Sequence, residues 1–164
     1  VSGEIIKDGM DISLCALDYS DEKEIKFQFS GAHNPVWVVR KEEAENIVLN
    51  GAEVKPNMID KRYKLFEIKG DKQPIGYFED NVPFTVATGI LQKGDRLYLF
   101  TDGFADQFGG PKNKKFMTKR FRELLLEIHS QPMKKQKEIL TQKLHDWMGD
   151  NPQVDDVLVI GIRI

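Results

Sequence analysis

Short apolar or alternating stretches are spread along most of this chain, and two longer stretches near its end repeat at helical spacing. Residues 11–18 (Asp-Ile-Ser-Leu-Cys-Ala-Leu-Asp) are apolar enough and short enough for a strand. Residues 25–29 (Ile-Lys-Phe-Gln-Phe) alternate with the period of a half-buried strand. Gly31-Ala32-His33-Asn34-Pro35 interrupts that pattern, and residues 36–39 (Val-Trp-Val-Val) resume it. Three strands joined by short polar loops predict an antiparallel meander. Residues 41–62 read as polar and irregular, with Asn50-Gly51 and Pro56-Asn57 as turns. Further strands are predicted at 63–68, 84–88, 96–101 and 157–164, with turns at Gln73-Pro74-Ile75-Gly76 and Lys93-Gly94-Asp95. Phe121, Leu124, Leu125 and Ile128 predict a helix over 119–130. Ile139, Leu140, Leu144, Trp147 and Met148 predict a second over 133–148, with Pro132 at its start. Strands and helices segregate rather than alternate, so the expected class is α+β.

Composition narrows the picture. A chain of 164 residues, 40% hydrophobic and 30% charged, is enough for one domain with a core of its own. A net charge of -2 gives no footing for nucleic-acid binding through bulk charge. No apolar run reaches a membrane span, and no signal peptide is visible, so no membrane contact is expected. The single cysteine, Cys15, reads as a buried small hydrophobe in a reducing cytoplasm. The chain opens Val1-Ser2-Gly3, without an initiator Met, which suggests a segment of a longer protein.

The candidate chemistry lies in two acidic motifs beside apolar runs. Residues 94–103 (Gly-Asp-Arg-Leu-Tyr-Leu-Phe-Thr-Asp-Gly) place Asp102 at the end of a strand, and Asp155-Asp156 precede the last one. Carboxylates gathered at one rim are the oxygen donors that Mg²⁺ and Mn²⁺ take. This points to metal-assisted chemistry on phosphate, on condition that the last strand returns to the sheet presenting Asp102. Singly, Asp102 reads equally well as a helix N-cap, and Asp155-Asp156 as a solvated turn after Asn151-Pro152. A receiver domain also uses an acid pair and a strand-end aspartate, but there the pair comes first and strands alternate with helices. His33 reads as a loop histidine bonded within its own turn, or as a ligand or proton donor. Residues 112–122 carry six basic side chains and no acid, a solvated basic face or an attractor of a phosphorylated partner. Residues 106–110 (Asp-Gln-Phe-Gly-Gly) read as a helical turn ending in a flexible glycine pair.

Taken in order, residues 30–35 (Ser-Gly-Ala-His-Asn-Pro), Pro74-Ile75-Gly76, residues 94–103 and Asp155-Asp156 resemble one family. It is the stage II sporulation protein E branch of the metal-dependent, protein phosphatase 2C-like serine/threonine phosphatases. The resemblance implies an antiparallel β-sandwich flanked by helices, of which this chain would be the C-terminal, incomplete part. It implies a two-ion Mn²⁺ or Mg²⁺ site in the complete domain. Asp102 and Asp155 would stand at ligand positions, Asp156 would bind directly or through water, and Gly103 and His33 would contribute from their loops. It further implies direct attack of an activated water on a phosphoserine or phosphothreonine, with no phosphoenzyme. The implied partners are a phosphorylated protein such as an anti-sigma-factor antagonist, and a sensor domain upstream in the same chain. Two departures stand out. The family's earlier acidic motifs lie upstream of the matched region; Asp8-Gly9-Met10 runs straight into a strand and reads as a turn. Leu158 stands where the family often has Thr. A chain with missing strands would expose a sheet edge suited to self-association. A non-catalytic partner-binding module on a degenerate phosphatase scaffold is the alternative function.

Overall fold

The computed structural model describes residues 9–21, 23–76 and 82–164. Its strands, in chain order, are β1 (Gly9–Met10), β2 (Ile12–Asp18), β3 (Glu24–Ala32), β4 (Val36–Lys41), β5 (Val48–Leu49), β6 (Ala52–Glu53), β7 (Met58–Asp60) and β8 (Tyr63–Ile68). They continue as β9 (Ile75–Gly76), β10 (Ala87–Gln92), β11 (Arg96–Phe100), β12 (Phe108–Gly109), β13 (Lys114–Lys115) and β14 (Val159–Arg163). The helices are α1 (Gly103–Asp106), α2 (Thr118–Ile128) and α3 (Met133–Met148).

Two five-stranded antiparallel sheets carry the fold, in the orders β2-β3-β10-β5-β6 and β14-β11-β4-β8-β7. Apolar side chains of both sheets meet between them: Phe27 and Phe29 of β3 and Leu91 of β10 face Val36, Val38, Phe66 and Leu97 of the other sheet. The second sheet also buries its opposite face. Trp37, Val39, Leu65 and Tyr98 pack there against Phe104, Phe121, Leu125 and Leu140 of the helices. This explains why β4 reads as a continuous apolar run, buried from Val36 through Arg40. It lies inside a three-layer stack and has no solvent face. β3 shows true alternation because the outer face of its sheet is open.

The α+β sandwich with flanking helices is the class read from the sequence, but several local expectations change. The predicted meander does not form: β2 pairs with β3, whereas β4 belongs to the other sheet. Residues 33–35 therefore carry the chain from one sheet to the other. His33 turns it in the left-handed region at φ 56°, and the Ser13 hydroxyl donates to the carbonyls of Asn34 and Pro35. The strand expected at 84–88 starts later, at Ala87. Thr85 is held outside the ladder, where its N–H and hydroxyl both donate to the Asp71 carboxylate. The irregular stretch 41–62 contains three short strands, β5, β6 and β7, with Asn50-Gly51 turning β5 into β6 as expected. Asp8 of the proposed Asp8-Gly9 turn lies outside the described residues; Gly9–Met10 pairs with Ile75–Gly76, itself expected as a turn. Helix α3 keeps its predicted bounds.

A buried ion pair ties the sandwich together. Arg40 of β4 donates from Nε and Nη2 to the Asp95 carboxylate, at 3.0 and 2.7 Å. The same guanidinium also reaches the carbonyls of Glu45 and Ile90. Asp95 accepts a further bond from the Gln92 N–H. Arg40 thus joins β4 to β10 of the other sheet, through an aspartate whose oxygens are well satisfied.

Candidate functional site

β11 is the element that positions the site. Its Phe100 stands opposite Val159 of β14 in the antiparallel register. Asp102 lies two residues beyond Phe100, and Asp156 three residues before Val159, so both fall past the same end of the ladder. Thr101 closes the junction. Its hydroxyl donates to the Asp156 carbonyl (2.7 Å) and accepts from the Leu158 N–H (3.0 Å). Its own N–H donates to the Leu158 carbonyl. Gly103 completes the approach: a Cβ there would stand 2.4 Å from the Asp156 carbonyl oxygen. Any larger residue would push the acidic loop away.

Asp102 occupies the N-cap position of α1, yet its carboxylate makes no capping hydrogen bond. Of the two readings of this aspartate, the cap accounts for its place and not for its side chain. Asp102 lines a cleft of about 480 Å³ together with Asp11, His33, Trp37, Glu67 and Asp106. His33 therefore meets Asp102 at one cleft, across the turn that links the two sheets. Glu67 is committed elsewhere, accepting from Trp37 Nε1 at 2.9 Å and pairing with Arg122. Asp106 pairs with Lys115 at 2.8 Å. Asp155 and Asp156 are exposed at the adjoining loop, where the Asp156 N–H donates to the Asp155 carboxylate. Among the described residues, no group of three or more His, Cys, Asp or Glu side chains converges closely enough to hold a metal ion.

Sequence reasoning missed three contributors. Asp11 lines the cleft; its signal was an acid just before an apolar strand, as at Asp156. Thr101 was legible only as part of a motif, because its partners lie 55 and 57 residues away. Gln107 is the third. It is fully buried, and its side-chain N–H donates to the Pro152 carbonyl while its side-chain oxygen accepts from the Val154 N–H. Its backbone carbonyl accepts from Trp147 Nε1 and from the Phe116 N–H. It fastens the segment before Asp155 to the residue that follows α1. The glycine pair expected to be flexible is packed instead: a Cβ on Gly109 would overlap the Trp147 carbonyl oxygen at 1.7 Å.

Cys15 is half-buried against the sandwich core, and burial pushes its thiol up to about 12. No helix among the described residues is long and apolar enough to cross a membrane.

An antiparallel two-sheet sandwich flanked by helices is the architecture of the protein phosphatase 2C class, and this chain has such a sandwich with its helical layer on one face. The SiaA-PP2C domain of Pseudomonas aeruginosa shares it with a TM-score of 0.70 and 25% identity, over 94% of this chain and 51% of that one. The phosphatase domain of the cell fate determinant SpoIIE from Bacillus subtilis aligns over 94% of this chain and 58% of that one, with 14% identity and a TM-score of 0.46. The chain thus spans about half the length of the SiaA-PP2C chain that it matches. No curated protein matches it. The family model of stage II sporulation protein E (SpoIIE) matches residues 4–164, and the chain belongs to that family.

Proposed function

We propose that this chain is the C-terminal portion of a single metal-dependent phosphoprotein phosphatase domain, acting on phosphoserine or phosphothreonine in bacterial signalling. The observation that carries the reading is the Thr101 clasp, which brings the backbones of Asp102 and the Asp155-Asp156 loop to one end of the sandwich. We assign Asp102, Asp155 and Asp156 to Mn²⁺ or Mg²⁺, with His33 and Gly103 shaping the rim. Their carboxylates are hard oxygen donors, and that of Asp102 has no capping bond to give up. They fit part of a two-ion site, and we assign the remaining donors to residues upstream of this chain. When bound, the ions acidify water and offset charge on the phosphate. The chain's own contribution is to hold its carboxylates in register, through Thr101, Gly103 and Gln107.

On this reading the substrate is a cytoplasmic phosphoprotein such as an anti-sigma-factor antagonist, and a sensor domain lies upstream. Among the described residues β2 and β14 are the longer of the four edge strands of the five-stranded sheets, and they are where the chain would pair with the rest of the domain or with a second copy. The test is Mn²⁺-dependent hydrolysis of an aryl phosphate by this chain and by a form extended upstream. Activity in the extended form that disappears on Asp102→Asn supports the phosphatase. A folded extended form with no activity points instead to the partner-binding module.

A further inference from the structure

Six basic side chains fall within residues 112–122 of a chain whose net charge is -2, and no acid lies among them. The fold commits half of them. Lys115 pairs with Asp106 at 2.8 Å, Arg122 pairs with Glu67, and Arg120 lies over the Trp147 ring at 4.6 Å. Lys112, Lys114 and Lys119 stay exposed. Among the described residues Lys112 and Lys114 have no carboxylate partner, and Lys119 reaches only Glu123, at 4.0 Å.

These lysines ride on a fixed mount. β12 and β13 pair through Phe108↔Lys115 and Gly109↔Lys114. Gly109 lies against the Trp147 backbone, and the Gly110 N–H donates to the Trp147 carbonyl at 2.8 Å. The Phe116 N–H and Trp147 Nε1 both donate to the Gln107 carbonyl. The hairpin also borders the cleft: Lys115 holds Asp106, and Thr118, next to Lys119, lines the cleft itself. The cleft that Asp11, Asp102 and Asp106 help to line is thus joined, through Lys115 and Thr118, to a hairpin and helix start that carry exposed lysines.

We infer that the β12–β13 hairpin and the first turn of α2 dock acidic residues flanking the phosphorylated residue of a protein substrate, with Lys112, Lys114 and Lys119 as the contacts. The inference rests on the phosphatase reading for its word substrate, and the surface itself is testable without it. An extended acidic peptide suits the arrangement because it sets carboxylates on the margin and a single phosphate in the cleft.

The experiment compares two fluorescein-labelled phosphoserine peptides of equal length, one flanked by Asp and Glu and one by Gln and Ala, by anisotropy on the folded chain. Expected are roughly tenfold tighter binding of the acidic peptide, a fall in its affinity with salt, and loss of the preference in Lys112→Glu/Lys114→Glu/Lys119→Glu. Lys134→Glu/Lys137→Glu/Lys143→Glu on α3 changes the net charge by the same amount and leaves the preference intact. Equal binding of the two peptides by the unaltered chain overturns the inference. So does equal loss in the α3 control, or equal affinity for single-stranded DNA of matched charge. An aryl phosphate has no flanking residues, so its hydrolysis by the extended form is unchanged in the triple variant. If that hydrolysis is absent while lysine-dependent peptide binding persists, the phosphatase reading fails and the docking surface stands.

Discussion

Strand β11 has an aspartate just beyond each end, and the two are treated in opposite ways. Asp95 is buried and accepts from Arg40 and the Gln92 N–H. Asp102 sits at a helix start without a capping bond and faces a cleft. The same residue type, before and after the five residues of β11 and Thr101, serves the fold at one end and stands exposed at the other. A buried carboxylate with its partners in place is costly to remove, because the charge it neutralises stays behind. Asp102 is exposed and makes no capping bond, so its side chain adds little to stability and, on the proposed function, is available to a metal ion.

The sharpest way to break this comparison is to remove the satisfied aspartate. Asp95→Ala leaves the Arg40 guanidinium buried without its counter-charge and is expected to cost about 3–5 kcal/mol. Denaturant melts would show it as a large fall in midpoint, and a change below about 1 kcal/mol would contradict the structural role. Gln107→Leu comes next, at about 1–3 kcal/mol, because it orphans the Pro152 carbonyl and the Val154 N–H. Hydrogen exchange should find residues 150–157 opening more often in this variant, with β3 and β4 unchanged. Thr101→Val follows at about 1 kcal/mol, with the same local signature around Asp156. Asp102→Asn is expected to stay within about 0.5 kcal/mol of the parent. A large destabilisation there would mean that Asp102 is a structural aspartate after all.

A pH series adds a separate line. Burial holds His129 below its ordinary value of 6.5, reinforced by the neighbouring Arg96 charge and opposed by the Leu126 carbonyl at its ring nitrogen. Below 6.5 the unfolded chain therefore takes up a proton more readily than the folded one. Stability is full above that pH and declines as pH falls toward the depressed folded value. His129→Phe should flatten this part of the urea-midpoint profile; an unchanged slope would assign it to other groups.

Much of this arrangement was legible before any coordinates. The alternation of residues 25–29 and the apolar run of residues 36–39 gave strands in the right places because burial sets both patterns. The helical spacing of α3 gave its bounds because Pro132 and Gly149 bracket it. What periodicity could not say is which strands are neighbours. β3 and β4 look like a hairpin from their spacing, yet a left-handed His33 and the Ser13 hydroxyl send them into different sheets. The acidic motifs were visible as motifs. Their meeting depends on β14 returning to β11 after an entire helical layer, and local sequence holds no record of that return. Gln107 was invisible for the same reason: a buried amide has no pattern of its own until its partners, 45 and 47 residues on, are placed beside it.

The Thr101 clasp also sets an order of events during synthesis. Its partners lie 55 and 57 residues downstream, with α1, α2 and α3 between. A ribosome that has released β11 has already exposed Asp102, but the residues that define its surroundings are still being translated. The contacts that close the rim around Asp102 therefore cannot form until residues 156 and 158 have been added to the chain.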